Sequence, residues 1–444
     1  MKIKDSNLFI SNSIILLAGV INPFLLLLNP YLLLFFIFLE IFFLFYFIKN
    51  DIEKIWIIYL FSFQFFGISF LGLKVYDLVF LLILLYFLLK RKFKVPINYN
   101  IVKNRYSIII YVFILTSFLY VVLGSNFFLA FIDYIRFILS FFLFFLFSYT
   151  KISFDNLIKY LFIFCISLIL GGILIFVLTY QIKSADLSYN DFILDISIYT
   201  NFLERRVNGF FSDPNKFYLI FFFIILALDY LQINTPSARH LKFICMFGAI
   251  LSFSRMAILS VFLYLIVKFF REKVLKKSSI LYFGFGLFIL FFLIISFAKF
   301  SVYFNGIVTY IAELTGRTRT LEYESNVFEG NRVLIWIKSF ALIKDSNYLG
   351  LGFAAWKTYL PFPPHNTFLV LLLDLGFIGL IFYIGLFASI FKKVWKESWF
   401  FLWFLPGMTL DLQSFRLWYI LLAVVIFKII KTENKNEDLC FRAS

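Results

Sequence analysis

The chain has 444 residues, of which 63% are hydrophobic, and its formal net charge is +16. Apolar runs of about 18 or more residues alternate with short charged clusters, a pattern that excludes a soluble domain and is typical of a polytopic helical membrane protein. Because Lys and Arg fall in those clusters rather than along one polar face, the positive charge indicates membrane topology and not nucleic-acid binding.

The apolar runs predict an all-α, polytopic integral membrane protein with about 12–14 transmembrane helices. In chain order the runs lie near residues 8–28, 31–48, 55–73, 76–89, 106–123, 127–149, 157–180, 217–231, 243–252, 256–270, 279–298, 366–391, 398–409 and 417–430. The basic clusters fall in alternate short loops, so the positive-inside rule makes these loops and both termini cytoplasmic. The same alternation places two long loops, 181–216 and 299–365, on the periplasmic or outer face of the cell inner (plasma) membrane.

Two apolar stretches do not fit a single crossing. Residues 243–270 have basic residues at both ends and are long for one crossing but short for two. We expect two short helices that meet at Ser252-Phe253-Ser254-Arg255. Since an arginine at that depth is costly in lipid, Arg255 should face a water-filled cavity or an anion. Residues 398–430 repeat the arrangement, and the turn there carries Asp411, Gln413 and Arg416.

The second long loop contains a predicted helix over residues 331–344 that lies on the membrane, with separate polar and apolar faces. The polar positions are Arg332, Lys338, Ser339, Asp345 and Ser346, and the apolar surface is Leu334, Trp336, Phe340 and Ile343. Leu349-Gly350-Leu351-Gly352 then turns the chain back. The loop ends at Pro361-Phe362-Pro363-Pro364-His365-Asn366-Thr367, where a run of about 25 apolar residues begins.

Three predicted helix starts face the outer side and form a candidate site. They lie at Ser212-Asp213-Pro214-Asn215, at Ser252-Phe253-Ser254-Arg255 and at Pro364-His365-Asn366-Thr367. Helix N-termini offer unpaired N–H groups and arginine forks match phosphate oxygens, so Arg206 and Arg255 predict a diphosphate site. A histidine beside a helix N-terminus and cations stays neutral, so His365 can act as general base for an incoming hydroxyl. We find no Asp-x-Asp pair and no His or Cys cluster, so we expect no metal and no other cofactor.

Each of these residues also has a structural interpretation. The alternative for His365 is an interfacial histidine without a chemical role, and the alternative for Arg206 is contact with lipid headgroups. The alternative for Arg255 is a structural pair, for which Asp411 is the candidate partner. Asp133 and Arg136, three residues apart in an apolar run, are expected to form a local ion pair.

Several short motifs follow one another in the second part of the chain. They are Arg206-x-x-Gly209 with Pro214-Asn215, Ser252-x-Ser254-Arg255, Arg332 with Trp336, Gly350-x-Gly352, His365-Asn366 and Gly376-x-x-Gly379. This order resembles the O-antigen ligase and polymerase superfamily, integral membrane glycosyltransferases of bacterial surface polysaccharide assembly, over about residues 205–425. The resemblance divides the chain into N-terminal transmembrane helices (1–200), a ligase/polymerase-like membrane domain with the outer loop 299–365 (201–430), and a cytoplasmic tail (431–444).

The resemblance implies a GT-C-like, metal-independent inverting transferase that takes glycan from an undecaprenyl-diphosphate carrier. By the same resemblance, Arg206 and Arg255 bind the diphosphate and His365 activates the acceptor. Supporting positions are Arg332, Asn366, Asp411 and Arg416.

A polymerase and a ligase use the same donor chemistry and differ in the acceptor. We favour a polymerase that joins lipid-linked repeat units for O-antigen or capsule, because the outer loop has Tyr and Glu residues that can hold sugar. These are Tyr303, Tyr310, Glu322, Tyr323 and Glu324. The alternative is a ligase that moves finished glycan to lipid A-core. Expected partners are the lipid-linked glycan, an acceptor glycan or lipid A-core, membrane lipids, a flippase and a chain-length regulator.

A lipid-linked oligosaccharide flippase or another transporter is the candidate from a different class. Such a protein is also polytopic and basic, but it is expected to have repeated halves and charged residues along a central pathway. In this chain the polar groups gather at one face, so the sequence favours the transferase.

Overall fold

A computed structural model describes residues 2–89, 105–149, 154–273, 332–360 and 363–394, apart from 49–50, 71–72, 125, 183–185, 191–193, 200–206, 208, 212–213, 232, 234 and 253. The described residues form two compact units, each assembled from separate stretches of the chain. The first takes 2–86, 154–225 and 235–273, and the second takes 87–89, 105–149, 226–233, 332–360 and 363–394.

The structure is mainly helical and contains one small sheet. In chain order the helices are α1 (Lys2–Leu28), α2 (Pro30–Phe47), α3 (Asp51–Ser62), α4 (Val75–Leu89), α5 (Arg105–Leu123), α6 (Phe127–Tyr149), α7 (Phe154–Ile182), α8 (Pro214–Tyr230), α9 (Pro236–Leu251), α10 (Arg255–Lys273), α11 (Arg332–Asp345), α12 (Trp356–Tyr359) and α13 (Thr367–Val394). The strands are β1 (Ile68–Phe70), β2 (Leu73–Lys74), β3 (Asp186–Asn190) and β4 (Leu194–Tyr199), in the antiparallel order β2-β1-β4-β3.

Several helices have the length and composition of membrane spans. Among the described residues, four stretches are long and apolar enough to cross a membrane, namely Phe9–Leu28, Pro30–Phe47, Asn156–Leu178 and Thr367–Gly385. These spans and the helical content confirm the predicted all-α, polytopic membrane class. The total of 12–14 crossings, the orientation and the GT-C-like arrangement stay predictions, as do the region boundaries at 200 and 430. The predicted runs 279–298, 398–409 and 417–430 lie outside the described residues.

Small residues allow α1 and α7 to pack closely in the first unit. A Cβ on Gly19 would lie 2.4 Å from the backbone oxygen of Ser167, so only glycine fits at that contact. The Ser167 hydroxyl donates a hydrogen bond to the backbone oxygen of Ile15 at 2.6 Å. Small residues and buried hydroxyl groups commonly join helices in membranes, where lipid removes the hydrophobic driving force between them.

The predicted crossing over residues 55–73 is wrong in its second half. The helix α3 ends at Ser62, and Ile68–Phe70 forms the strand β1, which pairs with β4. Just before β1, the backbone N–H of Gly67 donates to the carbonyl oxygen of Phe210 at 2.6 Å. A short apolar run has no periodicity that separates strand from helix, so these long-range partners decide its structure.

Within the second unit, α13 is bent near the end of its first third. Gly376 has φ +61° and ψ −162°, which no helical residue adopts. The bend divides α13 into a first segment that begins at Thr367 and a longer second segment. It therefore interrupts the regular backbone hydrogen bonds of a long apolar helix, and their partners come from the loop that follows α11.

Candidate functional site

His365 lies two residues before the start of α13 and has a backbone conformation that few residues other than glycine adopt. Its φ is +51°, in the left-handed region. The next residue, Asn366, caps the helix, because its side-chain oxygen accepts hydrogen bonds from the backbone N–H of Phe368 at 3.0 Å and of Leu369 at 3.1 Å. The predicted helix start is confirmed, and it leaves the His365 side chain partly exposed beside the positive end of α13.

The helix α11 holds the segment before His365 from the side. The indole N–H of Trp336 donates to the carbonyl oxygen of Pro364 at 2.7 Å. An apolar cluster joins the two helices next to this bond, and its buried members are Ile335, Ile343, Leu360, Leu369 and Leu373. The backbone one residue before the histidine is therefore fixed by α11, and the backbone one residue after it is fixed by the cap of α13.

The helix predicted over 331–344 is present as α11, but the roles of its faces differ from the prediction. Ser339, predicted on the polar face, is fully buried, and its hydroxyl donates to the backbone oxygen of Ile335 at 2.7 Å. Ile343 is buried against α13, whereas Phe340 and Ile337 are 55% and 58% exposed. Apolar residues lie on several sides of this helix. The sequence therefore does not show which side is buried, and the side that contacts α13 is the buried one. Membrane contact through Phe340, a residue of the predicted apolar surface, stays a prediction.

Two glycine motifs of the sequence meet in space. The predicted turn at Leu349–Gly352 is confirmed by Gly350 and Gly352, whose φ values are +88° and +106°. A Cβ on Gly350 would lie 2.6 Å from the backbone nitrogen of Gly376, at the bend of α13. Glycine is needed on both sides because the two backbones touch.

In the first unit, two predicted helix starts are adjacent. Pro214 is the first residue of α8 and Arg255 is the first residue of α10, as the sequence predicts. The Ser254 hydroxyl, just before α10, donates a hydrogen bond to the side-chain oxygen of Asn215 in the first turn of α8. The N-termini of α8 and α10, each with a positive dipole end, therefore lie together.

The other predicted site residues are distributed as follows. Arg332 is the first residue of α11, and His365 belongs to the second unit. Arg206, Asp411 and Arg416 lie outside the described residues, as do Ser212, Asp213 and the Tyr- and Glu-containing part of the outer loop. The meeting of all three helix starts in one site stays a prediction.

The expected pair of Asp133 and Arg136 is confirmed, with a distance of 3.2 Å between the Asp133 carboxylate and a guanidinium nitrogen of Arg136. Sequence reasoning missed a second cation, Lys357 of α12, whose ammonium group also contacts Asp133. No sequence spacing indicates a partner so far along the chain. The cluster joins α6 to the loop segment that precedes His365.

Sequence reasoning also missed Asp374, a buried residue in α13 whose carboxylate accepts a hydrogen bond from the backbone N–H of Ala354. A signal was present, because an acidic residue inside an otherwise apolar span is costly and usually has a specific partner.

Four apolar helices long enough to cross a membrane and the mainly helical structure define an integral membrane protein of the polytopic helical class. The family model described as O-antigen ligase matches residues 240–384. This match confirms the resemblance drawn from the sequence, so these residues carry a domain of the O-antigen ligase and polymerase superfamily. Searches of curated proteins and of solved structures find no match.

The matched segment includes the motifs from Ser252-x-Ser254-Arg255 through His365 to Gly376-x-x-Gly379, and the Arg206 motif precedes it. The domain gives the chain a membrane glycan-processing function of the ligase and polymerase type, with lipid-linked glycan and an acceptor as substrates.

Proposed function

We propose that this protein is a membrane glycosyltransferase that moves glycan from undecaprenyl-diphosphate to an acceptor glycan, as the repeat-unit polymerase of a surface polysaccharide. The observation that carries the proposal is His365, fixed at the Asn366-capped start of α13 inside the matched segment. The reaction takes place at the outer face of the inner membrane, needs no metal and inverts the anomeric centre.

His365 acts as the general base. In this role the neutral imidazole accepts the proton of the acceptor hydroxyl. The acceptor oxygen forms a bond to the anomeric carbon while the bond from that carbon to the diphosphate oxygen breaks. The diphosphate leaves with the bonding electron pair, and a single displacement of this kind gives inversion.

The adjacent starts of α8 and α10 bind the leaving diphosphate, whose negative charge increases during the reaction. Arg206 and Arg255 supply guanidinium forks there, and the helix N-termini supply N–H groups. The hydrogen bond between Ser254 and Asn215 supports this assignment because it holds the two helix starts together. Arg332, Asn366, Asp411 and Arg416 have supporting roles, of which the capping by Asn366 is one.

Deletion of the gene tests the proposed function through the length distribution of surface polysaccharide on a gel. Loss of a polymerase leaves lipid A-core, or another anchor, with a single added repeat unit. Loss of a ligase instead leaves long chains on the carrier and none on lipid A-core. That result would favour the ligase over the polymerase. An unchanged polysaccharide pattern would contradict both transferase functions.

Changing Arg255 to Lys should reduce glycan transfer by about 10- to 100-fold, because one ammonium group cannot replace two charge-assisted hydrogen bonds to phosphate. The measurement is transfer by purified protein from a lipid-linked donor in detergent or nanodiscs. Replacing Lys268 by Met, on the same helix, is the matched control and should change transfer little. Wild-type activity in the Arg255→Lys protein would assign Arg255 a structural role.

Changing Trp336 to Phe should lower the transfer rate by about tenfold, because the Pro364 carbonyl loses its hydrogen bond while the aromatic contact remains. Trp356 packs against the same apolar cluster, so Trp356→Phe is the matched control and should keep near-normal activity. The same transfer assay measures both proteins. Equal rates for the two would show that the indole bond does not hold His365 in place.

A further inference from the structure

Asp374 is a buried acid in the apolar first half of α13. It is the single charged residue between Thr367 and Gly385, and its side chain is 2% exposed. Such a residue is costly in a membrane span unless a specific partner binds it. The bend of α13 at Gly376 lies two residues further on, and the partner of Asp374 is a segment of the outer loop.

This segment, residues 348–354, crosses α13 at the bend, and we call it the strap. In a regular helix the N–H of Phe377 would donate to the oxygen of Leu373. Here the Phe377 N–H donates to Tyr348 of the strap at 3.0 Å, and the Leu373 oxygen accepts from Leu351 of the strap at 2.8 Å. In a straight helix these two groups would pair with each other. The strap therefore supplies a new acceptor for the Phe377 N–H and a new donor for the Leu373 oxygen.

Asp374 binds the strap twice. Its backbone oxygen accepts from the N–H of Gly352 at 3.1 Å, and its carboxylate oxygen Oδ2 accepts from the N–H of Ala354 at 3.1 Å. Ala354 has a φ of +59°, which an alanine rarely adopts. The carboxylate thus holds the strap at a residue with an unfavourable backbone conformation.

The opposite side of the strap contacts α5 and α6. The N–H of Phe353 donates to the oxygen of Tyr120 at 2.9 Å, and a Cβ on Gly352 would lie 2.3 Å from the Cα of Gly124. The Phe353 ring also lies 5.8 Å from the ring of Tyr134. The strap is therefore held between α5 and the bend of α13.

His365 is connected to Asp374 on both sides. In one direction, α13 runs from the Asn366 cap to Asp374, and in the other the strap continues through α12 and Pro364 back to His365. We propose that Asp374 is a positioning residue, whose carboxylate holds the strap against the bend of α13 and thereby sets the position of the His365 imidazole. This proposal rests on the proposed function, in which His365 is the base.

The first test compares Asp374→Asn with Asp374→Leu in the transfer assay. Asparagine keeps an oxygen that accepts from Ala354, so transfer should stay within about threefold of wild type. Leucine keeps the volume but leaves that N–H without its acceptor, so kcat should fall by about 30-fold or more while the KM for the donor changes little. Leu371→Ala removes buried apolar volume from the same helix and is the control for general packing. Full activity in Asp374→Leu, or equal losses in all three proteins, would overturn the proposal.

The second test measures the strap directly and does not depend on transfer. In full-length protein with Cys165, Cys245 and Cys440 replaced by Ala, the pair Tyr348→Cys and Phe377→Cys joins the strap to α13, where the native rings are 5.4 Å apart. The disulfide should form readily with Asp374 or with Asp374→Asn, and about tenfold more slowly with Asp374→Leu. Once formed, it should restore at least part of the transfer lost in Asp374→Leu.

The two tests separate the outcomes. Equal cross-linking rates with all three residues at position 374 would show that Asp374 does not hold the strap, and lost transfer without rescue would show that it acts by another route. Either result overturns the proposal. If the cross-linking rates are as expected but the wild-type protein transfers no glycan, the proposed function is contradicted. The contact of Asp374 with the strap would then still be established.

Discussion

Replacing His365 by Asn should reduce glycan transfer by about 100- to 10,000-fold, the contribution of a positioned general base. The loss should appear in kcat, because the base acts on the acceptor hydroxyl in the transition state and contributes little to donor binding. Asparagine is the sharper substitution because it tolerates the left-handed conformation that His365 adopts, with φ +51°. His365→Ala should give the same loss with a small added cost from the backbone.

The controls for this prediction are membrane insertion, thermal stability and the second histidine. His365 is partly exposed, and the cap of Asn366 is unaffected, so the folded protein should persist. His240 is exposed, and His240→Asn should transfer glycan at the wild-type rate. Unchanged polysaccharide length and attachment in cells that carry His365→Asn would remove His365 from the mechanism.

Helix ends were predictable from the sequence because their signals are local. Proline at the first turn of α8, the serines before α10 and asparagine before α13 each mark a helix start within a few residues. The turn at Gly350 and Gly352 was predictable for the same reason, since glycine readily adopts a positive φ. What these signals do not give is the distance between one helix start and another.

The features that the sequence did not reveal depend on distant partners. The strand at Ile68–Phe70 exists because β4 pairs with it, and Ser339 is buried because α11 docks on α13. The strap depends on a bend in α13, and neither glycine patterns nor hydropathy identifies which carbonyl groups such a bend releases. An acidic residue in a span was visible, but its partner, the backbone of Ala354, carries no sequence signal.

Replacing a glycine of the strap should have a large effect on stability and on glycan transfer. A Cβ on Gly352 would lie 2.3 Å from the Cα of Gly124, a backbone atom that cannot rotate away, and the φ of Gly352 is +106°. Gly352→Ala should therefore separate the strap from α5 and lower stability by more than about 2 kcal/mol, since alanine is strained there in addition to the clash. Because the strap leads to His365, transfer should fall even in the fraction that stays folded.

Gly385 in α13 is the matched control for this substitution, because a Cβ there meets no atom within 4 Å. Gly385→Ala should be neutral or slightly stabilising, since alanine favours helix more than glycine does. Thermal unfolding in detergent, followed by the transfer assay on the folded fraction, compares the two proteins. If Gly352→Ala unfolds at the same temperature as Gly385→Ala and transfers glycan equally well, then the close approach of the strap to α5 is not required, and His365 must be held by α11 and its own helix cap alone.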